Sequence, residues 1–114
     1  MSHATIWISY DLGIRGDYEG LYAWLDGQDA KECGDSLAVL VFRFEKTPQH
    51  KSLPDALKAE LKKSLKIDKA TRIYVVYRDE ASNKNKGKFI FGGRRAPTWT
   101  GYAQADSTLA DEEV

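Results

Sequence analysis

The hydrophobic period of this chain switches between two and about 3.6 residues in a definite order, and that order limits the folds open to it. Residues 5–10 are β-branched or aromatic, with Ile6, Ile8 and Tyr10 on one face, which predicts a strand. Asp11 ends it, and a loop with Gly13 and Gly16 follows. Asp17 has the chemistry of an N-cap, because its carboxylate can accept from the free amides of the next turn. Tyr18, Leu21, Tyr22 and Leu25 then form the stripe of a helix lying on a sheet, and Gly27 is its expected stop. Residues 30–44 read as two strands around a turn at Cys33, Gly34, Asp35 and Ser36. The first is short, around Lys31 and Glu32. The second, residues 37–44, is apolar except for Arg43 and suits a central position.

A polar loop over 46–52 leads to Ser52-Leu53-Pro54-Asp55, a helix start with proline in its first turn. Leu53, Leu57, Leu61 and Leu65 recur every four residues, with lysines mostly on the other faces. Residues 71–77 predict a strand, with Ile73, Val75 and Tyr77 alternating against Tyr74 and Val76. Residues 80–86 read as a polar loop. Residues 88–92 read as a short strand with Phe89 and Phe91 on one face, stopped by Gly92, Gly93 and Pro97. Trp99 and Tyr102 are expected to dock on the body. The resulting fold class is α+β: a ferredoxin-like β-α-β-β-α-β sandwich with an additional C-terminal strand. Residues 1–102 are expected to form a single domain opening with a flexible stretch over 1–4. Residues 103–114 are expected to form an acidic, disordered tail.

At 114 residues and 42% hydrophobic, the chain suits one folded domain. It has no apolar run near the roughly 20 residues of a membrane span. No secretory signal is legible at the start, and Cys33 is the only cysteine, so a reducing cytoplasmic setting is expected. Without a supporting His or Asn, Cys33 reads as a buried or half-buried structural residue rather than a nucleophile. Basic and acidic residues balance at 17 each. The last twelve positions hold four acids and no base, which leaves 17 basic against 13 acidic residues in the body. A mildly basic body is compatible with a polyanion partner and equally with an ordinary soluble surface.

The run Ser9-Tyr10-Asp11-Leu12, followed by Gly16-Asp17-Tyr18-Glu19-Gly20-Leu21-Tyr22, resembles the start of SinR-like proteins. Those are small relatives of the CRISPR-associated Cas-two nucleases and of virulence-associated protein D. Weaker similarity runs through residues 35–40 and 67–69, so the resemblance spans about residues 5–78. It implies a ferredoxin-like protomer and a symmetric homodimer. Asp11 matches the aspartate that in the Cas-two group is associated with Mg²⁺- or Mn²⁺-dependent cleavage of nucleic acid. Other members act as non-cleaving adaptors on duplex DNA, so fold alone does not choose between enzyme and scaffold. The loop 46–52 and the segment 84–95 look longer than in small relatives.

Two constellations could carry chemistry. Asp11, at a strand end, could be a catalytic metal ligand, with two copies brought together by a dyad to supply two carboxylates. It could equally make a local turn with backbone amides. Ser9 and Tyr10 flank it. The second constellation is Lys84, Lys86, Lys88, Arg94 and Arg95, five basic groups without an acid, suited to nucleic-acid phosphates. Gly92-Gly93 could let a backbone nest approach an anion; a Lys/Asn/Gly hairpin tip is also an ordinary soluble turn. His3 and His50 lie far apart, which argues against a zinc site. The expected function is a homodimer that binds nucleic acid or nucleotides, with metal-dependent phosphodiester cleavage through Asp11 as its enzymatic form. The alternatives are a non-catalytic adaptor or toxin–antitoxin-type interaction module, or a binder of small nucleotides.

Overall fold

The computed structural model describes residues 1–103. Five strands and two helices follow in the order β1 (Ser2–Asp11), α1 (Tyr18–Gly27), β2 (Lys31–Gly34), β3 (Leu37–Phe44), α2 (Leu53–Ser64), β4 (Arg72–Asp79) and β5 (Lys84–Phe91). The class is α+β. One antiparallel sheet has the strand order β2-β3-β1-β4-β5, compatible with a ferredoxin-like type of arrangement.

Strand alternation decides which side chains meet the helices. Ile6 and Ile8 of β1, Leu40 and Phe42 of β3, and Ile73, Val75 and Tyr77 of β4 are buried. They join Leu21, Trp24 and Leu25 of α1 and Leu53, Leu57 and Leu61 of α2 in one core. The intervening positions face away from the helices. There Trp7 lies in register between Val39 and Val76, and is 43% exposed.

The two helices are fastened to each other by polar contacts. Trp24 Nε1 donates to Glu60 Oε2 across the pair at 2.9 Å. Asp17 caps α1 as its sequence predicts, accepting the Gly20 N–H at 2.9 Å. Its second oxygen accepts the N–H of Lys66, just past the end of α2, also at 2.9 Å. The Lys66 and Gly20 N–H groups hold the Asp17 carboxyl below the usual carboxylate range. Gly20 makes room for this clamp, since a Cβ there would run into Asp17 Oδ2. Ser52 caps α2 by accepting the Asp55 N–H.

Several boundaries differ from the sequence expectation. Residues 2–4 are strand rather than a flexible start, because β3 continues to Phe44 and Ser2–Ala4 pair with its last residues. The polar loop over 80–86 shortens to a turn. Asp79 accepts from Ser82, Arg78 donates to Asn83, and Asn83 takes a left-handed φ of 56°. Pairing therefore resumes at Lys84. Phe89 and Phe91 do not share a face. A bulge between Ile73 and Tyr74 pairs Ile73 with Phe91 and Tyr74 with Phe89, so Ile90 and Phe91 are both buried. Trp99 and Tyr102 do not dock; they are 73% and 69% exposed. The helices already close the buried face of the sheet. Cys33 is exposed on edge strand β2 rather than buried. Beyond Ala103, the acidic tail expected over 103–114 lies outside the described residues.

The Asp17 clamp makes a sign prediction. In the native background Gly20→Ala should destabilise, because the new methyl pushes the carboxylate off its two amides. With Asp17→Ala already present, Gly20→Ala should instead stabilise by about 0.5–1 kcal/mol through helix propensity. Urea midpoints of the four proteins test this; Gly20→Ala acting alike in both backgrounds would refute the clamp.

Candidate functional site

Register brings three strand ends together. Asp11, the last residue of β1, is the cross-strand partner of Arg72, the first of β4. Beside them β5 ends at Phe91, paired with Ile73. The chain then turns at Gly92, whose φ of 74° is left-handed and whose missing Cβ would lie 2.7 Å from Arg72 Cγ. The segment that follows returns Arg94 and Arg95 to the same end of the open face.

These ends surround a hollow of about 180 Å³ lined by Ser9, Tyr10, Asp11, Arg72, Tyr74, Phe89 and Arg94. Its apolar part is the Tyr74–Phe89 pair, edge to face with centroids 4.7 Å apart. Tyr74 can lie across β5 because position 87 is glycine; a Cβ there would collide with the phenol. The Arg94 guanidinium stands 5.6 Å from the Phe89 centroid and 6.0 Å from that of Tyr74. Arg72 stands 5.4 Å from Phe89. Cation–π attraction holds both arginines over the rings. Arg72 Nε also donates to the Gly93 carbonyl at 3.0 Å, tying the returning segment down.

Asp11 does two things at once. Its Oδ1 accepts the Gly13 N–H at 3.0 Å, the turn contact weighed from sequence. Its Oδ2 accepts from Arg95 Nη2 at 3.2 Å. The Gly13 N–H above all holds the carboxyl below its usual range; burial opposes it, and Arg95, with a contribution from Arg72, adds to the lowering. The ion pair is half in solvent, with side-chain exposures of 59% for Arg95 and 49% for Asp11.

Of the residues singled out from sequence, Asp11, Arg94 and Arg95 therefore converge, and Lys84, Lys86 and Lys88 do not join them. Those lysines pair across from Asp79, Tyr77 and Val75, on the helical side of the edge strand, and Lys86 is bonded to Asp79 at 3.2 Å. Lys84 lies seven residues before Phe91, roughly 24 Å along an extended strand. Ser9 lines the hollow. Tyr10 packs edge-on against Tyr22 with its hydroxyl pKa raised, chiefly by burial, which is the strand-packing role. Arg72, Tyr74 and Phe89 were not identified as site residues. The available signal was the alternation of β4, which sets Arg72 and Tyr74 on the face opposite the buried Ile73 and Val75.

A divalent cation does not fit this donor set in one protomer. Mg²⁺ needs several oxygen ligands. Here a single carboxylate has both oxygens engaged by donors and sits among three guanidiniums. Among the described residues no three of His, Cys, Asp and Glu gather as a metal site. Nor is any described helix long and apolar enough to cross a membrane. No family model, curated protein or solved structure matches the chain.

The depressed Asp11 pKa has a sign. A carboxylate whose folded pKa lies below its unfolded value adds stability above the unfolded value, and that stability is lost as pH falls through the folded one. The melting-temperature gap between the native protein and Asp11→Asn should be small, since an exposed pair contributes under about 1 kcal/mol. It should close as pH drops from 6 through the acidic carboxylate range of about 4 and below. A gap independent of pH would refute the ionic contribution.

Proposed function

We propose that this chain is a ferredoxin-like homodimer that binds nucleic acid or nucleotides, gripping phosphate at the arginine hollow. The observation that carries this reading is the convergence of Arg72 and Arg94 on the Tyr74–Phe89 pair, with Arg95 beside them on Asp11 at the edge of the hollow. Guanidinium stacked on a ring uses its face and keeps its N–H edge for an oxyanion. Arginine is the side chain best matched to phosphate geometry. Aromatic rings beside it offer a surface on which a base can stack. Phosphate contacts of this kind supply most sequence-independent affinity.

Dimerisation is supported by the open face of the sheet. Trp7, Val39, Val41 and Val76 form an apolar group there that neither helix covers. Isologous packing of two such faces would remove it from water. Both Asp11 oxygens are engaged, by the Gly13 N–H and by Arg95, so binding rather than cleavage is the reading this site supports best.

Fluorescence anisotropy with a labelled single-stranded oligonucleotide tests the binding reading. Replacing Arg94 and Arg95 together by alanine should weaken affinity by about tenfold or more, and lower the salt slope by about 0.7 for each phosphate no longer neutralised. Binding unaffected by the double substitution would overturn it. For assembly, light scattering should report about twice the 12.8 kDa chain mass, and Trp7→Asp should return the monomer. A native protein that is monomeric at tens of micromolar would refute the dimer.

A further inference from the structure

We infer that Asp11 is an internal competitor at the arginine hollow, occupying Arg95 where an incoming phosphate oxygen binds and so setting the affinity of the site. This rests on the phosphate-binding reading above and concerns what the free protein does with that site.

The geometry separates the anchoring of Asp11 from its pairing. The Gly13 N–H holds Oδ1, and Gly13 itself takes a left-handed φ of 75° in a turn where an added Cβ would lie 3.0 Å from Ala70 Cβ. That turn keeps the carboxylate in place whether or not Arg95 is on it. Arg95 belongs to the segment after β5, outside the helices and strands, and its bond to Oδ2 is half exposed. Exposed pairs of this kind are weak, so Arg95 can exchange one oxyanion for another. Arg72 and Arg94 have other engagements, with the Gly93 carbonyl and the aromatic faces, which an arriving phosphate need not break. Among the described residues Asp11 is the carboxylate bonded to this trio. A phosphate that recruits Arg95 must displace Asp11 and then sit beside its fixed negative charge. A catalytic ligand would make Asp11 necessary; this arrangement makes it an obstacle.

The test is affinity for one labelled single-stranded oligonucleotide at fixed ionic strength. Asp11→Asn keeps an acceptor for the Gly13 N–H and removes the charge. It should bind about fivefold more tightly than the native protein, and the gain should disappear in the Arg95→Ala background. Asp26→Asn, an exposed acid on α1, controls for net charge and should leave affinity unchanged. If circular dichroism finds Asp11→Asn unfolded, Asp11→Ser, which keeps a short acceptor, takes its place. Unchanged or weaker binding by the Asp11 variant, while Arg94→Ala still weakens binding, overturns the competitor and leaves the arginine site standing. Equal tightening by Asp26→Asn also overturns it. If Arg94→Ala and Arg95→Ala change nothing either, the phosphate-binding reading itself falls.

Discussion

Two helices can cover one face of a five-stranded sheet and no more, and the rest of this molecule follows from that shortage. The covered face takes Ile6, Ile8, Leu40, Phe42, Ile73 and Val75 out of water together with the leucines of α2. At about 1.5–3 kcal/mol for each fully buried large side chain, this is the main source of stability. The other face keeps the alternate residues of the same strands. It is there that β1, β4 and β5 present Asp11, Arg72, Tyr74 and Phe89 side by side. A polar and aromatic site can exist at that end because no helix competes for the space.

Much of this was legible in the chain. The caps at Asp17 and Ser52, the leucine repeat of α2 and the alternation of β4 are local patterns, and local patterns specified the elements they predict. What was not legible depends on pairing between distant segments. Ser2–Ala4 carry no strong strand signal of their own and are ordered by Phe42–Phe44. The bulge that puts Ile90 and Phe91 together on the core is a property of β5 against β4, invisible in β5 alone. In the site, Asp11, Arg94 and Arg95 stand out in sequence as a strand-end acid and a basic pair. Arg72 does not, because its place beside Asp11 is a matter of register. The five basic residues read as one patch divide for the same reason. A strand points every second side chain to one side, so Lys84, Lys86 and Lys88 go with the helices while the arginines follow the turn at Gly92 to the other face.

Asp11 and Asp17, six residues apart, illustrate how little a residue type says before its neighbours are known. Each accepts a backbone N–H close by in sequence, and each has a second oxygen to spend. Asp17 spends it on the Lys66 amide and becomes a rivet between the start of one helix and the end of the other. Asp11 spends it on a side chain half in solvent. The first bond is between parts of the frame; the second can be exchanged.

The lysines that left the candidate site have a consequence of their own. β5 is an edge strand eight residues long, and an uncovered edge is a template on which further strands can add. Lys84, Lys86 and Lys88 stand along it at alternate positions, all exposed. A second copy laid edge to edge against β5 would bring a like-charged row into register, which charge repulsion opposes. Such a β5–β5 pair would be isologous and would close at two copies, so the lysines act against that one edge-to-edge pairing. The lysine row is thus a guard on the long edge of the sheet, placed where an added strand would have to pair.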